Sequence, residues 1–297
     1  MILEKKYIHT SFGDIAFLES GVATNPPTLF VHGIPTSSFL WRHVMQYLGN
    51  DFHCFAPDLM GLGDTKVNPN SGQFHMDAQA EMLVEFMSVL GHDQFSAVCH
   101  DQGGAAAQIV AARYPEKLSC LVITDSVCYD NWPSPTVAKL QKLAKIPLVM
   151  SILTTTGFFQ WRETKSRYSS MRRTAYTPEK ISNEAILEYM RPGRRNREAF
   201  KCFRNFLLAG DPKYTMQIVP ALREFHKPVL VIWAADDPEL SLSWGKKLYD
   251  EIPNAIQFEV IPFCGHFWQE EKPLEVAPLI GEFLDEHYKK KNAWQYT

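Results

Sequence analysis

The chain has 297 residues, 45% of them apolar and 21% charged, with a net charge of −3. That length suits one catalytic domain with an insertion, or two small domains, and the composition supplies a large core rather than a disordered chain. The near balance of charge excludes the basic footprint of a nucleic-acid binder and gives no reason for attachment to an anionic membrane. The six cysteines, Cys54, Cys99, Cys120, Cys128, Cys202 and Cys264, form no C-x-x-C pair and no zinc spacing. Several lie in apolar runs, where a reduced thiol behaves as a small core residue. The segment MILEKKYIHTSFGDIAF lacks the apolar stretch of a signal peptide. No window reaches the roughly 18 apolar residues of a membrane span. The expected compartment is cytoplasmic and reducing.

Short apolar runs at 15–19, 28–32, 53–57, 95–100, 118–125, 228–234 and 256–261 read as strands, and the stretches 77–90 and 105–114 between them read as helices. Alternating strands and helices predict a mostly parallel sheet flanked by helices. Runs apolar throughout, such as VLVIWA at 229–234, fit strands buried on both faces. The rhythm breaks between about 131 and 211, where only helical patterns occur, at 136–153, 178–190 and 196–208. The expected organisation is a core from 1–130 and 212–297, with 131–211 as a helical lid inserted between two strands. Leu148, Met150, Phe158, Phe159 and Trp161 should line the pocket below this lid or bury against the core.

The chemistry-bearing segments follow the strands. The first strand in this series runs into His32-Gly33-Ile34-Pro35, whose Ile34 is placed to offer its backbone N–H to a developing negative charge. Val98-Cys99-His100-Asp101-Gln102-Gly103-Gly104 joins an apolar strand to a helix through a turn flanked by small residues, Cys99 and Gly103. This is the pattern of a nucleophile elbow with Asp101 at its tip, and the N–H of Gln102 is the second oxyanion donor. A carboxylate at a helix N-terminus is favoured in its charged form and attacks without a base. The strand at 228–234 ends in Asp236-Asp237-Pro238, of which Asp237 is the expected orienting acid and Asp236 the second choice. Gly265-His266 follows the last strand, so nucleophile, acid and base occur in the order 101, 237, 266. That is the order of the α/β-hydrolase fold.

These residues carry a family resemblance. HGIPTSSFLWR (32–42) resembles the segment after the third strand of haloalkane dehalogenases. PDLMGLGD (57–64) resembles the D-x-x-G-x-G turn of the α/β-hydrolase superfamily, and HDQGG (100–104) resembles the elbow shared by haloalkane dehalogenases and epoxide hydrolases. The resemblance covers the core and not the insertion. It implies an α/β-hydrolase fold and a two-step reaction: Asp101 displaces a leaving group from carbon, and water activated by His266–Asp237 hydrolyses the resulting ester. No metal or organic cofactor is implied, and the partners are water and a small, largely apolar organic substrate. Some haloalkane dehalogenases carry the acid after the preceding strand, which makes Asp125 the alternative triad acid. Where dehalogenases are expected to bind halide with Asn and Trp, this chain has Ile34 and Gln102. Trp132 and Trp161 are candidate replacements. Epoxide hydrolases use lid tyrosines, for which Tyr129, Tyr168, Tyr176 and Tyr189 are the candidates. Gln102 and Ala105 stand where fluoroacetate dehalogenases place arginines, which argues against haloacids.

The expected function is therefore a haloalkane-dehalogenase-like hydrolase. The alternatives are an epoxide hydrolase, an ester or lactone hydrolase, a cofactor-free oxygenase of the dehalogenase-like luciferase type, and a binding protein that kept the fold.

Overall fold

The computed structural model describes residues 4–146, 157–166, 169–191 and 196–293. One sheet organises the chain. It is nine-stranded, with β1 (Lys6–Thr10), β2 (Gly13–Ser20), β3 (Pro27–Val31), β4 (His53–Pro57), β5 (Lys66–Val67), β6 (Phe95–Asp101), β7 (Leu118–Ser126), β8 (Val229–Ala234) and β9 (Ala255–Ile261). The order across the sheet is β1-β2-β4-β3-β6-β7-β8-β9, with β5 pairing β2. Strand β2 runs antiparallel to β1 and β4, and every pairing from β4 to β9 is parallel.

All the strands expected from apolar runs are present. The two that the sequence pattern misses are β1 and β5. Strand β1 is an edge strand whose side chains are mostly solvent-exposed, so it carries no apolar alternation to detect. The alternation elsewhere sorts the core into two layers. In β8, Val229, Val231 and Trp233 pack on one face, while Leu230, Ile232 and Ala234 pack on the other. Helices α1 (Arg42–Leu48), α2 (Met76–Val89) and α3 (Gln102–Arg113) cover the sheet together with a long C-terminal helix, Pro273–Ala293. Fully burying one Leu, Ile or Phe contributes roughly 1.5–3 kcal/mol, so these two layers fix the register of every strand end. Those ends carry Ile34, Asp101, Asp125, Asp237 and His266 on one edge of the sheet.

Between β7 and β8 the chain leaves the sheet. It forms α4 (Pro135–Ala144), α5 (Phe158–Lys165), α6 (Asn183–Met190) and α7 (Arg197–Ala209), with no strand among the described residues. Leu148, Met150 and Tyr168 lie outside the described residues, as do the side chains of Phe158 and Phe159. The insertion is tied to the core at several points. Tyr189 donates to Glu270 Oε1 at 2.5 Å, Arg191 pairs with Asp64 at 2.6 Å, and Asn205 donates to the Pro69 carbonyl at 2.6 Å. None of the described helices is long and apolar enough to cross a membrane.

Candidate active site

Asp101 closes β6 and stands before α3 with φ 52° and ψ −127°. A non-glycine residue in that region costs of order 1–3 kcal/mol, and surrounding structure must impose it. Close packing does so here. A Cβ on Gly103 would strike the carbonyl oxygens of His32 and Val31, and one on Gly104 would strike the Ser126 hydroxyl. Strand and helix therefore approach only because these positions have no side chain. Asp101 does not cap α3 with its carboxylate. Its Oδ1 instead accepts the Ile34 N–H at 2.7 Å, and the Gln102 N–H lies close enough to favour the charged carboxylate.

Burial pushes the Asp101 carboxyl above its ordinary range, against the lowering effects of His266 and of the Gln102 and Ile34 N–H groups. Desolvation is the largest of these influences.

Gly33 explains why Ile34 can reach the carboxylate. A Cβ at Gly33 would overlap the Asp101 side chain itself. Gly33→Ala is expected to displace Asp101 and lower turnover by about 100-fold, the usual penalty for an ångström of misplacement. The protein should still fold, because the clash is with one side chain. Circular dichroism and a turnover assay on the same preparation check this.

His266 follows β9. Its Nδ1 lies 2.7 Å from Asp237 Oδ2, and its Nε2 lies 3.7 Å from Asp101 Oδ2. Its backbone N–H donates to the Thr174 carbonyl of the insertion at 2.8 Å. A Cβ on Gly265 would strike that same carbonyl, so this glycine lets the insertion grip the loop. Burial alone would lower the His266 pKa. The Asp237 charge and hydrogen bond, with Asp101 behind them, reverse that and push it up to about 10. Asp237 Oδ1 accepts the N–H groups of Glu239 at 2.8 Å and Leu240 at 3.0 Å, which fixes the carboxylate plane. Asp236, the second choice, is exposed. Asp125 sits fully buried behind Asp237, its Oδ1 accepting the Ala234 N–H at 2.9 Å, and it does not hold His266 Nδ1.

Asp101 and His266 open onto a cavity of about 210 Å³ whose walls include Ile34, Gln102, Leu140, Tyr189, Phe203 and Leu240. The aromatic candidates divide. Trp132 lines the cavity, but its indole N–H donates to Thr215 Oγ1 at 2.7 Å, so it does not face a leaving group. Trp161 is 59% exposed and outside the cavity wall. Tyr129 is buried away from the cavity, stacked on Trp244 and covered by Lys247. Tyr176 packs against Phe263 on the surface. Of the three tyrosines among the described residues, Tyr189 is the one in the wall, with its hydroxyl on Glu270, which Arg42 holds in turn at 2.6 and 2.7 Å.

The alpha/beta hydrolase fold family matches residues 26–273. The chain belongs to that family. This hydrolase is 28% identical over 294 residues to haloalkane dehalogenase 2 of Mycobacterium tuberculosis, covering 94% of each chain. It is 27% identical over 271 residues to a soluble epoxide hydrolase of a Corynebacterium species, covering 87% of this chain and 90% of the relative. Among solved structures it is similar to an epoxide hydrolase without ligand, with a TM-score of 0.79, 21% identity, and coverage of 96% and 99% of the two chains.

The hydrolase has supporting residues that sequence reasoning did not single out. Buried Asp58 accepts the N–H groups of Ser38 and Asp64, each at 2.7 Å, and pairs with Lys5. It thereby ties the loop after Ile34 to the PDLMGLGD turn. His32 accepts the Leu59 N–H at 3.0 Å, and burial lowers its pKa to about 4, which keeps it neutral. The available signal was the Asp58–Gly61–Gly63 spacing: a Cβ on Gly63 would strike the Asp58 carboxylate.

Proposed function

We propose that this hydrolase attacks a carbon atom of its substrate with Asp101 and releases the product by hydrolysing the resulting ester. The observation that carries the reading is the line Asp101–His266–Asp237, with a carboxylate rather than a hydroxyl at the elbow tip. Oδ1 stays on the Ile34 N–H, so Oδ2 is the attacking atom. The new carbon–oxygen bond forms as the bond to the leaving group breaks. His266 Nε2 then takes a proton from water, whose oxygen adds to the ester carbonyl carbon. Negative charge passes to the oxygen held by Ile34 and Gln102 N–H groups, an arrangement worth about 10²–10³ in rate per donor. Collapse expels the product alkoxide, which recovers the proton from His266.

Residues 131–211 act in this reading as a lid, and the cavity wall they contribute supports it. Six buried free cysteines fit a reducing, cytoplasmic setting. The substrate is small and largely apolar, with displacement at saturated carbon in the manner of the dehalogenase-named and epoxide-hydrolase-named relatives.

Halide departure has thin support. The Ile34 N–H is taken by Asp101 and the Trp132 N–H by Thr215, so Gln102 is the side chain beside Asp101 with an amide to offer. Turnover of a short bromoalkane should therefore fall below the ordinary enzymatic range of about 1–10³ s⁻¹. The second reading, epoxide opening, draws on Tyr189 in the cavity wall, whose O–H must leave Glu270 to reach the opening oxygen. If Tyr189 protonates the opening oxygen, Tyr189→Phe should cut diol formation from a terminal epoxide by about 10²–10³ and leave bromide release unchanged. Measuring bromide and diol release with both proteins tests each reading. Rapid bromide release would overturn the argument about thin halide support, and unchanged diol formation in Tyr189→Phe would remove Tyr189 from the reaction.

A further inference from the structure

We propose that Asp125 is a neutral carboxylic acid whose O–H donates to the Asp237 carboxylate, making it a positioning residue for the His266–Asp237 pair. The inference rests on the reading of His266 as the base. Its ground is a comparison of hydrogen bonds. Asp237 is surrounded by donors: the N–H groups of Glu239 and Leu240 on Oδ1, and the His266 imidazole on Oδ2. Among the described residues Asp125 receives one N–H, from Ala234 on Oδ1, and its Oδ2 has no donor although it is fully buried. Asp125 is bonded to Ala234, three residues before Asp237, and the Asp237 charge acts directly on it. Two buried carboxylates in contact cannot both stay charged, so the negative charge settles where the donors are. The proton settles on Asp125, and Oδ2 is the atom left to carry it. Burial and the Asp237 charge push the Asp125 carboxyl well above its usual range, in the same sense.

The consequence reaches His266. A pair with one negative charge stabilises an imidazolium less than a pair with two, so a neutral Asp125 keeps His266 able to give up its proton. The charged and titratable groups around Asp125 are Asp237 from the loop after β8 and Cys264 and His266 from the loop after β9. His100 from β6 packs on the His266 ring at 4.6 Å.

Two measurements that need no substrate test this. Infrared difference spectra of wild type against Asp125→Asn should contain one protonated-carboxyl C=O band that the variant lacks. The same band should persist in Asp101→Asn, so a failure of the nucleophile assignment leaves it intact. NMR titration of His266 should move by less than about half a unit in Asp125→Asn, whose amide is neutral and still donates. It should move upward by about one unit in Asp125→Ala, which removes the donor that shares the Asp237 carboxylate with His266. Absence of the band, or a fall of about 1–3 units in His266 on Asp125→Asn, would mean that Asp125 is charged and overturn the proposal.

Discussion

Replacing Asp101 by alanine is expected to abolish turnover while leaving the fold intact. The expected loss is on the order of 10⁴–10⁶, the range met when one member of a mutually dependent catalytic set is removed. Asp125 and Asp237 are not among the residues of the cavity wall, and Glu239, which is, accepts the Thr136 hydroxyl at 2.8 Å and does not stand at the elbow tip. Stability should change little. Asp101 gives α3 no side-chain cap, and burial of its carboxyl is unfavourable to the charge it carries. Losing the acceptor for the Ile34 N–H costs about 1–3 kcal/mol, and removal of a desolvated carboxylate offsets part of that. Turnover near wild type, with unchanged thermal melting, would refute the assignment.

Replacing His266 by glutamine should separate the two steps. Asp101 needs no base to attack, so the ester still forms. Its hydrolysis needs a group that accepts a proton from water, and a glutamine amide does not. The ester should accumulate and be visible by intact-protein mass spectrometry as a stoichiometric adduct mapping to Asp101.

The electrostatics also time the base. In the free enzyme, burial lowers His266, but Asp237, then Asp101, push it up to about 10. Esterification removes the Asp101 charge, so the His266 pKa falls when a base is needed. Since His266 must be neutral to accept the proton, ester hydrolysis in wild type should rise with pH through the lowered value. This limb should lie below about 10, the free-enzyme value, and rapid-quench measurement of ester decay against pH would locate it. An adduct on any other residue, or no adduct with a substrate that wild type turns over, would contradict the two-step scheme.

The strands that position the site were legible because they are short, apolar and buried on both faces, as in VLVIWA of β8. Strand β1 was not, because an edge strand with exposed side chains leaves no periodic trace. Asp101, Asp237 and His266 each follow a legible strand, and neighbouring parallel strands bring their ends together. The relation between Asp125 and Asp237 was not legible. It arises because β7 and β8 are neighbours in the sheet, so that Asp125 reaches the Ala234 N–H from 109 residues away. Nor could the tryptophans and tyrosines of the insertion be sorted. Trp132 and Tyr189 both line the cavity, yet their polar atoms are committed to Thr215 and Glu270, partners set by tertiary packing alone.

The central claim is that water attacks the Asp101 ester rather than the substrate. A single turnover in water enriched in heavy oxygen, with enzyme in excess, tests it most directly. The account predicts a product carrying ordinary oxygen from Asp101, and heavy oxygen incorporated into the Asp101 carboxylate on peptide mapping. Heavy oxygen in the product after that first turnover, with Asp101 unlabelled, would contradict it and assign His266 to direct activation of water on the substrate.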